Sequence, residues 1–93
     1  MGLALLGAAL LAAAAGRDEA QKVLRSARCD KCHDSALPTA VERALAVFDL
    51  HEEAWPRRMT AEQLPKLMGR LRGAPAADRR VVQRFIEAEL RSR

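Results

Sequence analysis

The two cysteines of the chain stand three positions apart in the stretch CDKCH, and a histidine follows the second cysteine directly. Thiols and an imidazole at this spacing suit four kinds of chemistry: a zinc site, a redox-active dithiol, a structural disulfide and the covalent attachment of haem. The side chains concerned are Cys29, Cys32 and His33. The rest of the sequence has to discriminate among these four kinds of site.

The first three kinds of site fit the sequence poorly. A structural zinc ion needs four ligands, and the only further histidine or cysteine in the chain is His51. His33 also lies too close to Cys32 for both to chelate one ion without strain. Redox dithiols normally occur in a βαβ setting, and the sequence has no strand pattern. A disulfide between Cys29 and Cys32 would close a very short loop and would constrain the unfolded chain little.

Haem attachment accounts for the order of the three residues. Cys-x-x-Cys-His is the attachment motif of c-type haem. The two thiols add to the two vinyl groups on one edge of the porphyrin, and the histidine next to the second thiol reaches the iron from one face. The sequence therefore favours one covalent haem c per chain, held by Cys29 and Cys32 with His33 on the iron. A non-haem metal or disulfide module stays open as an alternative.

The N-terminal segment MGLALLGAALLAAAAG is uncharged and almost wholly apolar. Its apolar run, from Leu3 to Ala15, has the length of a signal-peptide core and is too short for a membrane span of about 20 residues. The small residues at positions 13–15 suit a cleavage site. We therefore predict a signal peptide or short N-terminal anchor at residues 1–16, one haem domain at residues 17–93, and export to the periplasm.

The composition of residues 17–93 limits the function further. This part carries all the charged side chains, and the net charge is +4. A domain of this size is marginally stable alone, so a bound cofactor would supply stability that the core lacks. The positive charge suits an acidic partner protein. Nucleic acid is disfavoured because the basic residues are spread along the chain and only three residues are aromatic. The sequence shows no nucleophile–base arrangement, so we do not expect an enzyme.

The apolar spacing predicts an all-α fold of about four helices. β-Branched residues are few and tyrosine is absent, so strands have little material. The helices are expected at about residues 18–28, 39–49, 60–73 and 78–91. Capping boxes are expected at Thr39 with Glu42 and at Thr60 with Gln63. Pro65 is expected to distort the start of the third helix. The apolar stripe of the last helix should pack on that of the first.

Together these features resemble the small class I cytochromes c. The matching parts are the helix before the motif, CDKCH itself, a methionine followed by a Gly/Pro-bearing loop in LMGRLRGAPAADRRVVQRFI, and the closing amphipathic helix. They cover most of residues 17–93. The resemblance implies a monohaem, cytochrome c-like bundle in which the first and last helices cross and the chain between them wraps the haem.

The resemblance also implies a function and further site residues. The protein would transfer electrons, either as a free carrier or as a subunit of a larger oxidoreductase, and would dock transiently on an acidic redox partner. Met68 would be the sixth iron ligand, with Met59 and His51 as alternatives. Trp55 would contact the cofactor, and the adjacent arginines at positions 57 and 58 could pair with its propionates. The alternative function is a haem-binding sensor or accessory module with an open sixth coordination site.

Overall fold

The computed structural model describes residues 16–93. The N-terminal segment predicted for residues 1–16 therefore lies outside the described residues, except for Gly16. No helix within residues 16–93 is long enough and apolar enough to cross a membrane.

The described chain is helical and contains no strand, as the sequence predicts. Within the described residues, helix α1 covers 16–26, and the longest helix is α5, Ala76–Arg91. The elements between them are short: α2 Asp30–His33, α3 Glu42–Leu45, a 3₁₀ turn Trp55–Arg58, a second 3₁₀ turn Leu64–Lys66, and α4 Leu67–Arg70. The fold is therefore two long helices joined by a chain of single turns, and the all-α prediction is confirmed.

Helices α1 and α5 form the frame of the molecule. Both contribute to one buried apolar cluster, α1 through Ala20, Val23 and Leu24 and α5 through Val82, Phe85 and Ile86. An ion pair adds to this contact: the guanidinium of Arg17 donates to both carboxylate oxygens of Glu89, which is only 4% exposed. The predicted packing of the last helix on the first is confirmed.

Helix α1 ends immediately before the motif, in a turn that reverses the chain direction. The Cys29 N–H donates to the Leu24 carbonyl at 2.9 Å, and the Arg28 N–H donates to the Arg25 carbonyl at 3.0 Å. These two bonds define a Schellman motif, which requires a left-handed residue after the last helical turn. Arg28 takes that conformation, with φ of 66°, although glycine is the usual residue there.

The left-handed conformation of Arg28 predicts that glycine is better tolerated at this position. We expect Arg28→Gly to raise the free energy of unfolding by about 0.5–1 kcal/mol, because it removes the Cβ clash of the left-handed region. Urea unfolding measures the change. Ser26→Gly is the matched control: Ser26 lies in the last turn of α1, so glycine there should lower the free energy of unfolding by about 0.5–1 kcal/mol. Shifts of the same sign in both variants would refute this explanation.

The predicted second helix is wrong in its start and its length. Helix α3 begins only at Glu42, and no side chain caps it. The residue before it, Val41, is extended and donates its N–H to the Cys32 carbonyl at 3.1 Å. Because Val41 is extended, no helix can run through it from Thr39. The local sequence does not reveal this contact between Val41 and the motif.

The predicted third helix is correct in its cap and wrong in its length. Thr60 Oγ1 accepts the Gln63 N–H at 3.1 Å, and Gln63 Oε1 accepts the Thr60 N–H at 2.9 Å, which confirms the capping box. The following residues form a 3₁₀ turn rather than a regular α-helix because Pro65 has no N–H to donate, which confirms the expected distortion. Only the short α4 follows, so the helix does not extend to residue 73.

Candidate functional site

One cavity of about 610 Å³ brings Cys29, Cys32 and His33 together. Its volume is in the range of small-molecule and cofactor sites. The other lining residues are apolar or basic, apart from one glutamine: Ala27, Arg28, Ala44, Val47, Phe48, Met59, Gln63, Lys66, Leu67 and Arg70. The three motif residues therefore share one chemical environment.

The backbone of the motif is held on both sides. Within α2 the His33 N–H donates to the Cys29 carbonyl at 3.1 Å, so both residues belong to the same helical turn. The Cys32 carbonyl accepts the Val41 N–H, and the His33 carbonyl accepts the Leu50 N–H at 2.7 Å. These longer-range bonds fix the turn against two segments that follow it in sequence.

The imidazole of His33 is held in one tautomer. Its Nδ1 lies 3.1 Å from the Phe48 carbonyl oxygen. A carbonyl only accepts hydrogen bonds, so the neutral imidazole donates from Nδ1 and keeps its lone pair on Nε2. The Phe48 ring lies parallel to the imidazole, with centroids 3.8 Å apart. It covers the face of the imidazole but not the lone pair, which lies in the ring plane. Metal-ligating histidines typically donate their other ring N–H to a carbonyl or carboxylate in the way that Nδ1 does here.

Buried Asp49 fixes the segment that bonds to His33. One of its carboxylate oxygens accepts the Ser35 N–H at 3.0 Å and the His51 N–H at 2.9 Å. Burial by itself raises the pKa of Asp49, but the hydrogen bonds from Ser35 and His51 outweigh burial and leave this pKa lowered. The charged carboxylate is thus the stable form, and it ties the loop after the motif to residues 49–51.

Asp34, the residue directly after the motif, is also buried and paired. Its carboxylate accepts the Arg25 guanidinium at 2.7 Å and the Ala36 N–H at 2.9 Å. The hydrogen bond from Arg25 is the main reason that the pKa of Asp34 lies below its usual value. Since Arg25 lies on α1, this pair connects the end of the motif to the frame.

The environment of Cys29 does not suit a redox-active dithiol. Both cysteines are free thiols; Cys29 is half-buried and Cys32 is exposed. Burial, followed by the negative charge of Asp30, raises the pKa of the Cys29 thiol. Dithiol oxidoreductases need the opposite shift, because the thiolate is the attacking species. The site therefore favours chemistry in which Cys29 stays a thiol until it forms a bond.

A zinc site is not assembled by the described residues. Among residues 16–93 no three histidine, cysteine or acidic side chains converge on one point. His51 is exposed and does not line the cavity. His51, the fourth zinc ligand that the sequence offers, is thus not brought to the motif. The same observation separates His51 from the motif as a candidate iron ligand.

The structure places the two candidate methionine ligands differently. Met59 is 3% exposed and lines the cavity together with Cys29, Cys32 and His33. Met68, the ligand expected from the resemblance, is half-buried against the core and does not line the cavity; the preceding Leu67 does. Met59 directly precedes the Thr60 cap, where an apolar residue often packs on the start of the helix, and no local pattern distinguishes that role from a ligand.

Trp55 lies behind the cavity wall. It is 1% exposed and its ring contacts Phe48 at a centroid distance of 5.6 Å and Phe85 at 5.1 Å. Phe48 in turn stacks on His33, so a continuous row of aromatic rings connects the motif to α5. Trp55 itself does not line the cavity. Its predicted contact with a cofactor stays a prediction.

The positive charges near the cavity are not those expected from the sequence. Arg57 and Arg58 are exposed and do not line it, and Arg58 forms an ion pair with Glu52. Three other cations do line it: Arg28, Lys66 and Arg70. Among the described lining residues there is no carboxylate. The basic side chains, which are spread along the sequence, are thus partly gathered around the motif.

Comparison with known proteins finds no match among protein-family models, curated proteins or solved structures. The function is therefore inferred from the chemistry of the cavity.

Proposed function

We propose that the protein binds haem c covalently through Cys29 and Cys32, with His33 as an iron ligand, and that it transfers single electrons. One observation carries this proposal. The three motif side chains line a single cavity in which the bond from His33 Nδ1 to the Phe48 carbonyl leaves Nε2 free to coordinate. The fold proposed on this basis is cytochrome c-like, with α1 and α5 as its first and last helices.

The residues present fit a haem group. The cavity combines thiols for attachment, an imidazole with a free lone pair and a largely apolar wall, which includes Val47, Phe48 and Leu67. Haem supplies the one-electron chemistry of its iron when bound, and the protein holds, ligates and partly shields the group. The raised pKa of Cys29 agrees with a role as an attachment point rather than as a redox thiolate.

Met59 is the better supported sixth ligand. It is the methionine that lines the cavity with His33, whereas Met68 does not. A histidine and a methionine together are the ligand pair of cytochromes c, and the thioether raises the reduction potential. Met68 stays the alternative named by the resemblance. An open sixth site would instead favour the sensor or accessory function.

The charge around the cavity supports an acidic redox partner. Arg28, Lys66 and Arg70 surround the cavity without a neighbouring lining carboxylate. Such a surface would attract a negatively charged partner and orient the cavity toward it, in a contact that weakens with salt. In this proposal the protein works in the periplasm after export, as a free carrier or as a subunit of a larger oxidoreductase.

Covalent haem attachment is the prediction that tests this function. The chain is expressed with haem-maturation machinery, and the purified protein is denatured and extracted with acid acetone. Haem absorbance should stay with the protein, because the thioether bonds survive extraction. Cys29→Ala with Cys32→Ala should lose all of it, while Lys31→Ala, an exposed change between the two cysteines, should keep it. Wild-type protein without covalent haem would contradict the proposal. Covalent haem that binds carbon monoxide readily would favour the sensor function.

A further inference from the structure

Arg93, two residues beyond α5, makes an unusual pair of contacts with the backbone near Met59. Its Nη1 donates to the Met59 carbonyl oxygen at 2.6 Å, and its Nη2 donates to the Pro56 carbonyl oxygen at 2.9 Å. Within residues 16–93 no carboxylate lies at ion-pair distance from Arg93. The planar guanidinium thus bridges two carbonyls that are 34 and 37 residues away in sequence.

The Met59 backbone depends on this bridge. Met59 follows a single 3₁₀ turn, and its own N–H donates to the Pro56 carbonyl at 3.1 Å. Among the described residues, no other group donates to the Met59 carbonyl. The segment is short, has no regular helix on either side and contributes a side chain to the cavity wall. Its position is set by the packing of buried side chains, including Met59 itself, and by a few hydrogen bonds, of which those from Arg93 are charge-assisted.

Arg93 is itself held by the frame of the molecule. The hydroxyl of Ser92 donates to the Glu89 carbonyl at 2.8 Å and closes the end of α5. The side chain of Glu89 is paired with Arg17 on α1. The guanidinium of Arg93 thus connects the C-terminal end of α5 to the turn that carries Met59.

On the basis of the proposed haem function, we propose that Arg93 is a positioning residue for the sixth coordination position, because it holds the Met59 segment so that the thioether stays on the iron. Arg93 does not line the cavity, so it acts only through Met59. Without the bridge, the state with Met59 off the iron becomes more populated, and an external ligand competes more easily.

The experiment titrates the oxidised holoprotein with imidazole and follows the weak far-red band that marks a sulfur–iron bond. Arg93→Ala should bind imidazole about tenfold more tightly than the wild type, the value expected from losing one to two charge-assisted hydrogen bonds at a partly exposed site. Arg93→Lys should fall between them, because one ammonium cannot serve both carbonyls in the geometry of the fork. Arg91→Ala, an exposed change two residues away, should match the wild type. Met59→Ala should lack the band from the start.

The remaining outcomes would refute the proposal, and they separate the role of Arg93 from the role of Met59 and from the haem function. Equal imidazole affinity in the wild type and Arg93→Ala, both with covalent haem, refutes the role of Arg93 and leaves the haem function intact. A far-red band that persists in Met59→Ala refutes Met59 as the ligand that Arg93 positions. If Arg93→Ala does not fold by far-ultraviolet circular dichroism, wild-type affinity in folded Arg93→Lys refutes the role. Wild-type protein without covalent haem refutes the proposed function and this inference with it.

Discussion

Trp55→Ala is expected to lower the free energy of unfolding by about 3–5 kcal/mol, the usual result of truncating a buried aromatic residue. Trp55 is 1% exposed and is the largest fully buried side chain among the described residues. Its ring packs between Phe48, on the site side, and Phe85 on α5. No neighbouring side chain can fill a volume of this size without a shift of the backbone.

The loss should be largest in the protein without haem and should be measured by urea unfolding. Domains of this size have only about 5–10 kcal/mol in total, so the variant should lose a third or more of its stability. Trp55→Phe keeps a ring in the row and should cost about 1–2 kcal/mol. Leu90→Ala is the surface control: Leu90 is 38% exposed, so the cost should stay below about 1 kcal/mol.

The same variants separate packing from cofactor contact. If Trp55 only packs, the haem spectrum of Trp55→Phe will match that of the wild type once the protein is folded. A changed spectrum with unchanged stability would instead support the contact with the cofactor that the resemblance to cytochromes c implies. A cost below about 1 kcal/mol for Trp55→Ala would contradict the packing role assigned from its burial.

The aromatic row explains why stability and site geometry are coupled in this fold. His33 stacks on Phe48, Phe48 contacts Trp55, and Trp55 contacts Phe85. The carbonyl of Phe48 also sets the tautomer of His33. The row therefore links the core to Phe48, the residue whose carbonyl and ring contact the proposed iron ligand.

The sequence predicted well the features that depend on neighbouring residues. The reciprocal Thr60–Gln63 cap, the distortion at Pro65 and the apolar faces of the first and last helices all follow from local chemistry, and the structure confirms them. CDKCH also carries its chemistry in its own spacing. The placement of its three side chains in one cavity agrees with that spacing.

Features that depend on distant contacts could not be predicted. The second helix is short, and the residue before it, Val41, is extended and bonds to the distant Cys32 carbonyl. Met59 reaches the cavity because the chain between the frame helices folds as turns, and Arg93 reaches Met59 across 34 positions of sequence. Helical periodicity carries no information about such contacts. The preference for Met59 over Met68 as the proposed sixth ligand therefore rests on their three-dimensional placement.

The second large effect is expected at Arg25, whose guanidinium pairs with the buried carboxylate of Asp34. We expect Arg25→Met to lower the free energy of unfolding at neutral pH by about 2 kcal/mol. Removing one partner of a fully buried pair costs about 3–5 kcal/mol, and the lower value applies because Arg25 is 37% exposed. Methionine keeps most of the apolar stem, so the change removes mainly the charge.

The cost of Arg25→Met should depend on pH in a defined direction. The pKa of Asp34 lies below its usual value of 3.8 because the charged form is bonded to Arg25. The stability from this pair is therefore fully present above the pKa of the unfolded state and is lost as the pH falls through the lower pKa of the folded state. The free energies of unfolding of wild type and Arg25→Met should thus differ most near pH 7. They should converge as the pH falls through the folded-state pKa of Asp34, which lies below 3.8.

Asp34→Asn is the control that attributes this dependence to the pair. Asparagine keeps the shape and can still accept the Ala36 N–H, but it has no charge to titrate. If the pair acts as a unit, adding Arg25→Met to Asp34→Asn should cost less than Arg25→Met costs alone, because no unpaired buried carboxylate is left behind.

The acid sensitivity of the protein will not vanish in these variants, since Asp49 also has a lowered pKa and bonds to Ser35 and His51. Additive costs at pH 7, or a difference that grows on acidification, would show that Arg25 stabilises the turn after the motif by packing and not by charge.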